Sequence, residues 1–209
     1  MIKTIDPFGY KISDKNSNAT WYDRLADHIH IDSKKSTIQN YLLFKKGEPY
    51  NAQKLYESER VLRNIQFVNR VNISIIDSTA TKDSVDVMVK VLDSWSLKPS
   101  LSISGSKIGA GITEDNLLGL GHEISFLYEN DFKEKQNKIY GSYTANNMFG
   151  TFIDAGISAE QDSLKNEKIT FSARRDLFSP LTRWAGGFTF EYFMRKVLMP
   201  VESTDLLSQ

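Results

Sequence analysis

From Asp93 to Lys196 the chain carries no helical periodicity, and nearly all of it alternates apolar with polar residues between short polar or glycine-bearing turns. No other feature constrains the fold as strongly, because strands that follow one another through tight turns pair antiparallel with their sequence neighbours. The alternation predicts strands over Leu97–Ser104, Lys107–Thr113, His122–Asn130, Lys138–Ala145, Thr151–Gln161, Lys168–Arg174 and Trp184–Lys196. Most run seven to thirteen residues, against about 5–6 for the usual globular strand and about 9–11 for one that crosses a bilayer.

Each strand has one face nearly free of charge. In Thr151–Ala159 the apolar face holds Ile153, Ala155, Ile157 and Ala159, against Phe152, Asp154, Gly156 and Ser158. In Lys168–Arg174, Ile169, Phe171 and Ala173 oppose Lys168, Thr170, Ser172 and Arg174. The last strand turns Trp184, Gly186, Phe188, Phe190, Tyr192 and Met194 one way, and Ala185, Gly187, Thr189, Glu191 and Phe193 the other. Tyr128, Tyr140, Trp184 and Tyr192 fall near strand ends, as an interfacial aromatic girdle requires. A soluble β-sandwich gives the same dyad with its apolar face turned to a dry core. The pattern leaves the two architectures nearly level, and strand length tips the balance modestly toward a membrane.

The stretch Asp115–Asn130, DNLLGLGHEISFLYEN, contains Gly119-Leu120-Gly121. A dinucleotide loop needs a preceding strand, a third glycine and a following helix. Here a strand follows, so the glycines are expected to serve a tight reversal. Ile124, Phe126 and Tyr128 then share the apolar face, with Glu123, Ser125 and Glu129 opposite.

Before Asp93 the chain reads differently. Residues 1–22 are polar and broken by Pro7 and Gly9, an extended lead-in, and Arg24–Asp32 alternates as a short strand. Ser36 with Gln39 has capping-box spacing and opens a helix whose apolar side is Ile38, Tyr41, Leu42 and Phe44. Gly47 and Pro49 end it. A second helix, about Asn51 to Asn64, puts Leu55, Leu62 and Ile65 on one stripe and the pair Glu59–Arg63 on the wet side. Strands at Val71–Ile75 and Val85–Val91 follow, separated by the polar DSTATKD. The order β-α-α-β-β makes a small α+β module, one sheet face covered by two helices.

Lysine plus arginine equals aspartate plus glutamate, 26 each, which gives no argument for a nucleic-acid partner. Absence of cysteine removes disulfides, thiolate catalysis and cysteine metal sites. MIKTIDPFGYK has no apolar run with a cleavage site, so no signal peptide is expected within this chain. No stretch reaches the roughly 18 apolar residues of a membrane helix. His28 and His30 lie on one face of their strand without a third ligand, Asp131 and Glu134 belong to a polar turn, Asn18-Ala19-Thr20 is a chance sequon, and Ser163 and Ser179 lack a nucleophile-elbow context. No catalytic, cofactor or metal site is expected.

The stretches GEPYNAQKLYESERVLRNIQFVNRVNISI and DSVDVMVKVLDSWSLKPS resemble the last POTRA domain of the BamA-type outer-membrane assembly-factor superfamily. DNLLGLGHEISF, NNMFGTFIDAGIS and RRDLFSPLTRWAGGFTFEY are similar to the first barrel hairpins of its Bacteroidetes-like members. The resemblance spans Arg24 to Met199. It implies an extended lead-in over 1–23, a periplasmic POTRA module over 24–93 and, over 94–209, an antiparallel meander of about six or seven strands that begins a transmembrane β-barrel. Because an open sheet edge in hydrocarbon leaves backbone groups unpaired at several kcal/mol each, the chain is expected to be a fragment without signal peptide or most of its barrel.

The resemblance also implies a function: insertion of outer-membrane proteins, or polypeptide translocation, without catalysis or cofactor, in the bacterial outer membrane. Partners would be outer-membrane lipid, unfolded outer-membrane client proteins and accessory lipoproteins. Clients would add to a POTRA edge strand by β-augmentation, at Val71, Asn72, Ile73, Ser74 and Ile75. A lateral seam would open at the first barrel strand, Leu101, Ser102, Ile103, Ser104 and Gly105, its pairing weakened by Pro99 and Gly105. Lipid would meet Ile124, Phe126, Tyr128, Ile153, Ile157, Ile169, Phe171, Phe188 and Phe190. The alternatives are a soluble β-rich interaction protein and a passive outer-membrane channel.

Overall fold

The structure is a computed structural model that describes residues 2–5, 32–76 and 84–196. Two sheets follow one another along the chain. The first has three strands in the order β1-β3-β2: β1 (Ile2–Ile5), β2 (Val68–Ile76) and β3 (Asp86–Asp93). Helices α1 (Lys35–Asn40) and α2 (Ala52–Arg63) precede β2. β2 pairs antiparallel with β3, with a register shift between Val68 and Arg70, and β1 runs parallel to β3 from Ile2↔Val89 to Ile5↔Leu92. The strand expected at Arg24–Asp32, including His28 and His30, lies outside the described residues apart from Asp32, as do the sequon and the DSTATKD loop.

Ile38, Leu62, Phe67, Val71, Val89 and Val91 form the centre of the core, joined by Tyr41, Val61 and Val68. Each such aliphatic side chain contributes about 1.5–3 kcal/mol when fully withdrawn from water. The second helix begins as its sequence predicts: the Asn51 side chain accepts from Lys54 N, and Arg60 and Arg63 sit in the last turn, where the helix dipole favours them. Glu59 and Arg63 pair as expected.

The first helix begins differently. Its N-cap is Lys34, extended at φ −66° and ψ 140°, with no side-chain cap, so Ser36 and Gln39 form no capping box. One carbonyl from a distant turn packs against this helix start instead. Gly119 O accepts from both Lys34 N (3.0 Å) and Thr37 Oγ1 (2.7 Å).

The second sheet is an antiparallel meander in unbroken sequence order: β4 (Leu97–Ser104), β5 (Lys107–Leu117), β6 (His122–Asp131), β7 (Gln136–Ala145), β8 (Asp154–Asp162), β9 (Glu167–Arg175) and β10 (Gly186–Met194). All seven predicted strands form. Among the described residues the sheet is open, with β4 and β10 at its edges. Trp184 precedes its strand, and Ile153 lies one residue before β8.

The register confirms one apolar and one polar face. Ile112, Phe126, Gly141, Ala159, Ile169 and Tyr192 stand side by side across six strands, as do Ile124, Tyr143, Ile157, Phe171 and Phe190 across five. The opposite side carries Thr113, Ser125, Ser142, Ser158 and Thr170 in one row. Tyr140 also falls on this polar side, in the middle of β7 between Leu127 and Glu160, so it is not a girdle residue. Its alternation phase, even-numbered with Lys138 and Ser142, excludes it from the apolar face.

Candidate functional site

Burial distinguishes the two β architectures. In β6 the apolar Ile124, Phe126 and Tyr128 are exposed, whereas the alternating Glu123, Ser125, Leu127 and Glu129 are half-buried. Phe126 is 50% exposed, and Ile157, Phe171, Phe188 and Phe190 are likewise exposed. The polar face is therefore the sheltered side of the sheet. A sandwich requires the reverse, and no described element covers the apolar face. Ile169 is half-buried on that face, and Ile153 is half-buried at its margin.

Among the described residues the three-stranded sheet presents β2 as an edge. Val71 is buried and Ile73 and Ile75 are half-buried, while Asn72 and Ser74 are exposed. The edge is not bare, because Ile73 N donates to Glu59 Oε2 at 3.2 Å. The carboxylate expected only to pair with Arg63 therefore also guards one strand donor. At the other sheet β4 is an edge, and Leu101, Ser102, Ile103 and Ser104 are all exposed. Its pairing with β5 is complete, from Leu97↔Glu114 to Ser104↔Lys107, and includes Pro99↔Ile112. Gly105 lies beyond the strand, in the turn, at φ +60°. It shapes the hairpin and does not weaken the ladder.

The most extensive polar arrangement was not foreseen. Three alternate turns at one end of the meander dock on the helical module. In the β5–β6 turn, Gly119 and Gly121 have φ +73° and +69°, and Gly119 O holds the start of α1. Asn116, 1% exposed, donates through Nδ2 to Ser33 Oγ (3.0 Å) and accepts from Gly121 N (2.9 Å). In the β7–β8 turn, Asn147 adopts φ +48°, donates to Asn40 O (3.0 Å) and accepts from Phe152 N (2.8 Å). Asn146 ties this turn to the previous one through Gly121 O.

The third turn, between β9 and β10, reaches α2. Arg60 donates to Phe178 O at 2.6 Å, and Ser179 Oγ donates to Glu57 Oε2 at 3.0 Å. Arg60 also holds that carboxylate through Nε and Nη2. These bonds, Arg60 foremost and Ser179 with it, keep the Glu57 carboxyl below its ordinary pKa. Phe178 stacks on Phe152 with ring centroids 3.7 Å apart, and Phe152 meets Tyr41 edge-on at 6.1 Å. Burial among these rings, with Asp154 nearby, pushes the Tyr41 hydroxyl pKa far upward. The apolar core thus continues across the junction. In the sequence the available signals were turn residues that tolerate positive φ, Asn147 and the two glycines, but nothing local named their partners.

A helical α+β module whose sheet leads, within three residues, into a seven-strand antiparallel meander with an exposed apolar face defines the class of fold. Residues 31–92 match the family described as "POTRA: Surface antigen variable number repeat". Among solved structures, BamA from Haemophilus ducreyi lacking POTRA domains 1–3 is similar at a TM-score of 0.53 and 18% identity, over 83% of this chain and 31% of that one. CdiB from Acinetobacter baumannii is similar at 0.52 and 13% identity, over 78% and 36%. The chain thus spans about a third of either structure's length. No curated protein matches its sequence. Residues 31–92 thus match a POTRA model, and the fold of the chain is similar to part of BamA and part of CdiB.

Proposed function

We propose that this chain is the POTRA-to-barrel portion of an outer-membrane protein that inserts or translocates other polypeptides. The observation that carries the reading is the seven-strand sheet with its apolar face outward and its polar face sheltered, joined directly to a POTRA module. In lipid that arrangement is favourable, since the apolar face meets acyl chains while the ladder satisfies the backbone. The surfaces assigned to lipid are those of Ile124, Phe126, Tyr128, Ile153, Ile157, Ile169, Phe171, Phe188 and Phe190. The POTRA module would face the periplasm.

Client polypeptides would add as extended strands at Val71–Ile75, where backbone pairing tolerates many sequences. Asn72 and Ser74 are exposed on the face of that strand away from the core, and a client would displace Glu59 from Ile73 N. The exposed β4 edge, Leu101–Ser104, supports a second place for strand addition. No catalytic step is involved, and accessory lipoproteins would act as partners.

Two measurements test it. The full chain should need detergent or bilayer to stay monomeric; a monomeric, cooperatively folded chain in plain buffer would sink the barrel assignment. Photocrosslinkers at Asn72 and Ser74 should capture unfolded outer-membrane proteins. If they capture none while the sheet is inserted in lipid, the augmentation site is wrong and the barrel stands.

A further inference from the structure

On the polar face one charged residue from each of six successive strands falls into a single transverse row: Lys107, Glu129, Lys138, Glu160, Lys168 and Glu191, in β5 to β10. The signs alternate without a break, and the register gives the row a repeat of two strands. Lys107 reaches Glu129 diagonally (3.3 Å), Lys138 reaches Glu160 (2.9 Å) and Lys168 reaches Glu191 (2.7 Å). The steps between are direct, Glu129 opposite Lys138 and Glu160 opposite Lys168. Each interior carboxylate therefore has a lysine on either side. Among the described residues, Glu191 has Lys168 on one side and the outer edge of β10 on the other.

We propose that the strand joining the free edge of β10 runs antiparallel and presents a lysine or arginine directly opposite Glu191. This rests on the barrel reading, in which that edge must be paired. The charge row specifies the rest. On this face a cation stands directly across from a carboxylate at Glu129–Lys138 and Glu160–Lys168 within the row, and at Lys107–Asp131, Lys138–Asp162 and Asp154–Arg174 beside it; a like charge there is destabilising.

The occupant is a strand of the barrel wall. A second copy does not fit: counting through the antiparallel meander, β4 and β10 run the same way, so apposing those edges with both POTRA modules on one side would pair them parallel. Two β10 edges paired antiparallel would send their modules to opposite ends. A client strand does not fit either, because a seam that serves many sequences cannot require one charge at one position.

The chain has no cysteine, which permits a clean trapping experiment. Thr189→Cys in the full chain, reconstituted in vesicles, is offered two synthetic 11-residue peptides of alternating valine and threonine. Each carries a cysteine placed to face position 189 and, opposite Glu191, either lysine or glutamate. Disulfide trapping should favour the lysine peptide by about tenfold, and Glu191→Lys in the same background should reverse the preference. Equal trapping of both peptides, as a sequence-tolerant client seam would give, overturns the proposal, and so does trapping of neither. Protease protection of the sheet in the same vesicles separates the failures. A protected sheet without charge preference refutes this inference alone, whereas an unprotected sheet refutes the barrel reading and this inference with it.

Discussion

Gly119 is the position at which one methyl group should undo the docking of the POTRA module. A Cβ added there would lie 2.4 Å from Asp32 O and 3.3 Å from Lys34 N, both backbone atoms, at a residue whose φ is +73°. Relief requires the turn to withdraw by roughly 1 Å from the ordinary contact distance of about 3.5 Å. That would break the bonds from Lys34 N and Thr37 Oγ1 to Gly119 O, each worth about 1 kcal/mol. The left-handed backbone adds about 1–2 kcal/mol for any non-glycine residue. Gly119→Ala should therefore cost about 3–4 kcal/mol. Gly105→Ala is the control: its φ is +60° and a Cβ there meets nothing within 4 Å, so only the backbone cost of about 1–2 kcal/mol applies. The difference, about 2 kcal/mol from the two bonds, is the contribution of docking. Urea titration of the full chain in detergent micelles measures the two costs, and hydrogen exchange at the Lys34 amide reports the contact itself. Equal costs within about 0.5 kcal/mol, the usual scatter of surface substitutions, with unchanged Lys34 protection would refute the reasoning.

The other predictions concern the same junction and the sheet. Ser179→Ala removes the hydroxyl that donates to Glu57 Oε2 and accepts from Leu181 N; a loss of about 1 kcal/mol is expected by urea titration, and no change would argue that the third turn is not docked. Glu57 has a folded pKa below its unfolded value, so its stabilisation is present above the unfolded pKa of about 4.3 and is lost as pH falls through the folded one. Acid titration of Glu57→Gln should show a shallower loss of stability below about pH 4 than the parent chain, and superimposable curves would count against that carboxylate. On the sheet, Phe171→Arg should cost about 2–4 kcal/mol in vesicles, whereas Ser142→Arg on the polar face should cost far less; equal penalties would mean that the apolar face does not meet lipid. Glu59→Ala exposes Ile73 N and should raise photocrosslinking of unfolded clients at Asn72, with lowered capture contradicting its role as a guard.

What the sequence made legible follows a physical boundary. All seven barrel strands could be located because dyad alternation and turn residues are local, and their ends shifted by only a few residues where a turn tightened, as at Trp184 and Ile153. Contacts between distant residues could not be read the same way. Thr37 bonds Gly119 across 82 positions, and Ser179 bonds Glu57 across 122. Ser36 and Gln39 show how such contacts mislead: the capping-box spacing is present, but the helix starts one residue before Ser36 because another turn supplies the acceptor. Glu59 and Arg63 were read as a solvated pair, and the second bond of Glu59, to a strand edge, required the fold.

The choice between sandwich and barrel shows the same boundary more sharply. Alternation gives the phase of the apolar residues and is silent on the direction in which the sheet curls. Curl decides which face is sheltered, and it depends on all seven strands together. In this chain the half-buried side carries the hydroxyl row and the six-residue charge row, while Phe126 and Phe171 stand outside. A dry core would have to bury those rings, whereas Phe126 and Phe171 stand exposed. Both faces have the polarity that lipid outside and water inside demand, so the burial pattern supplies the discrimination that periodicity could not.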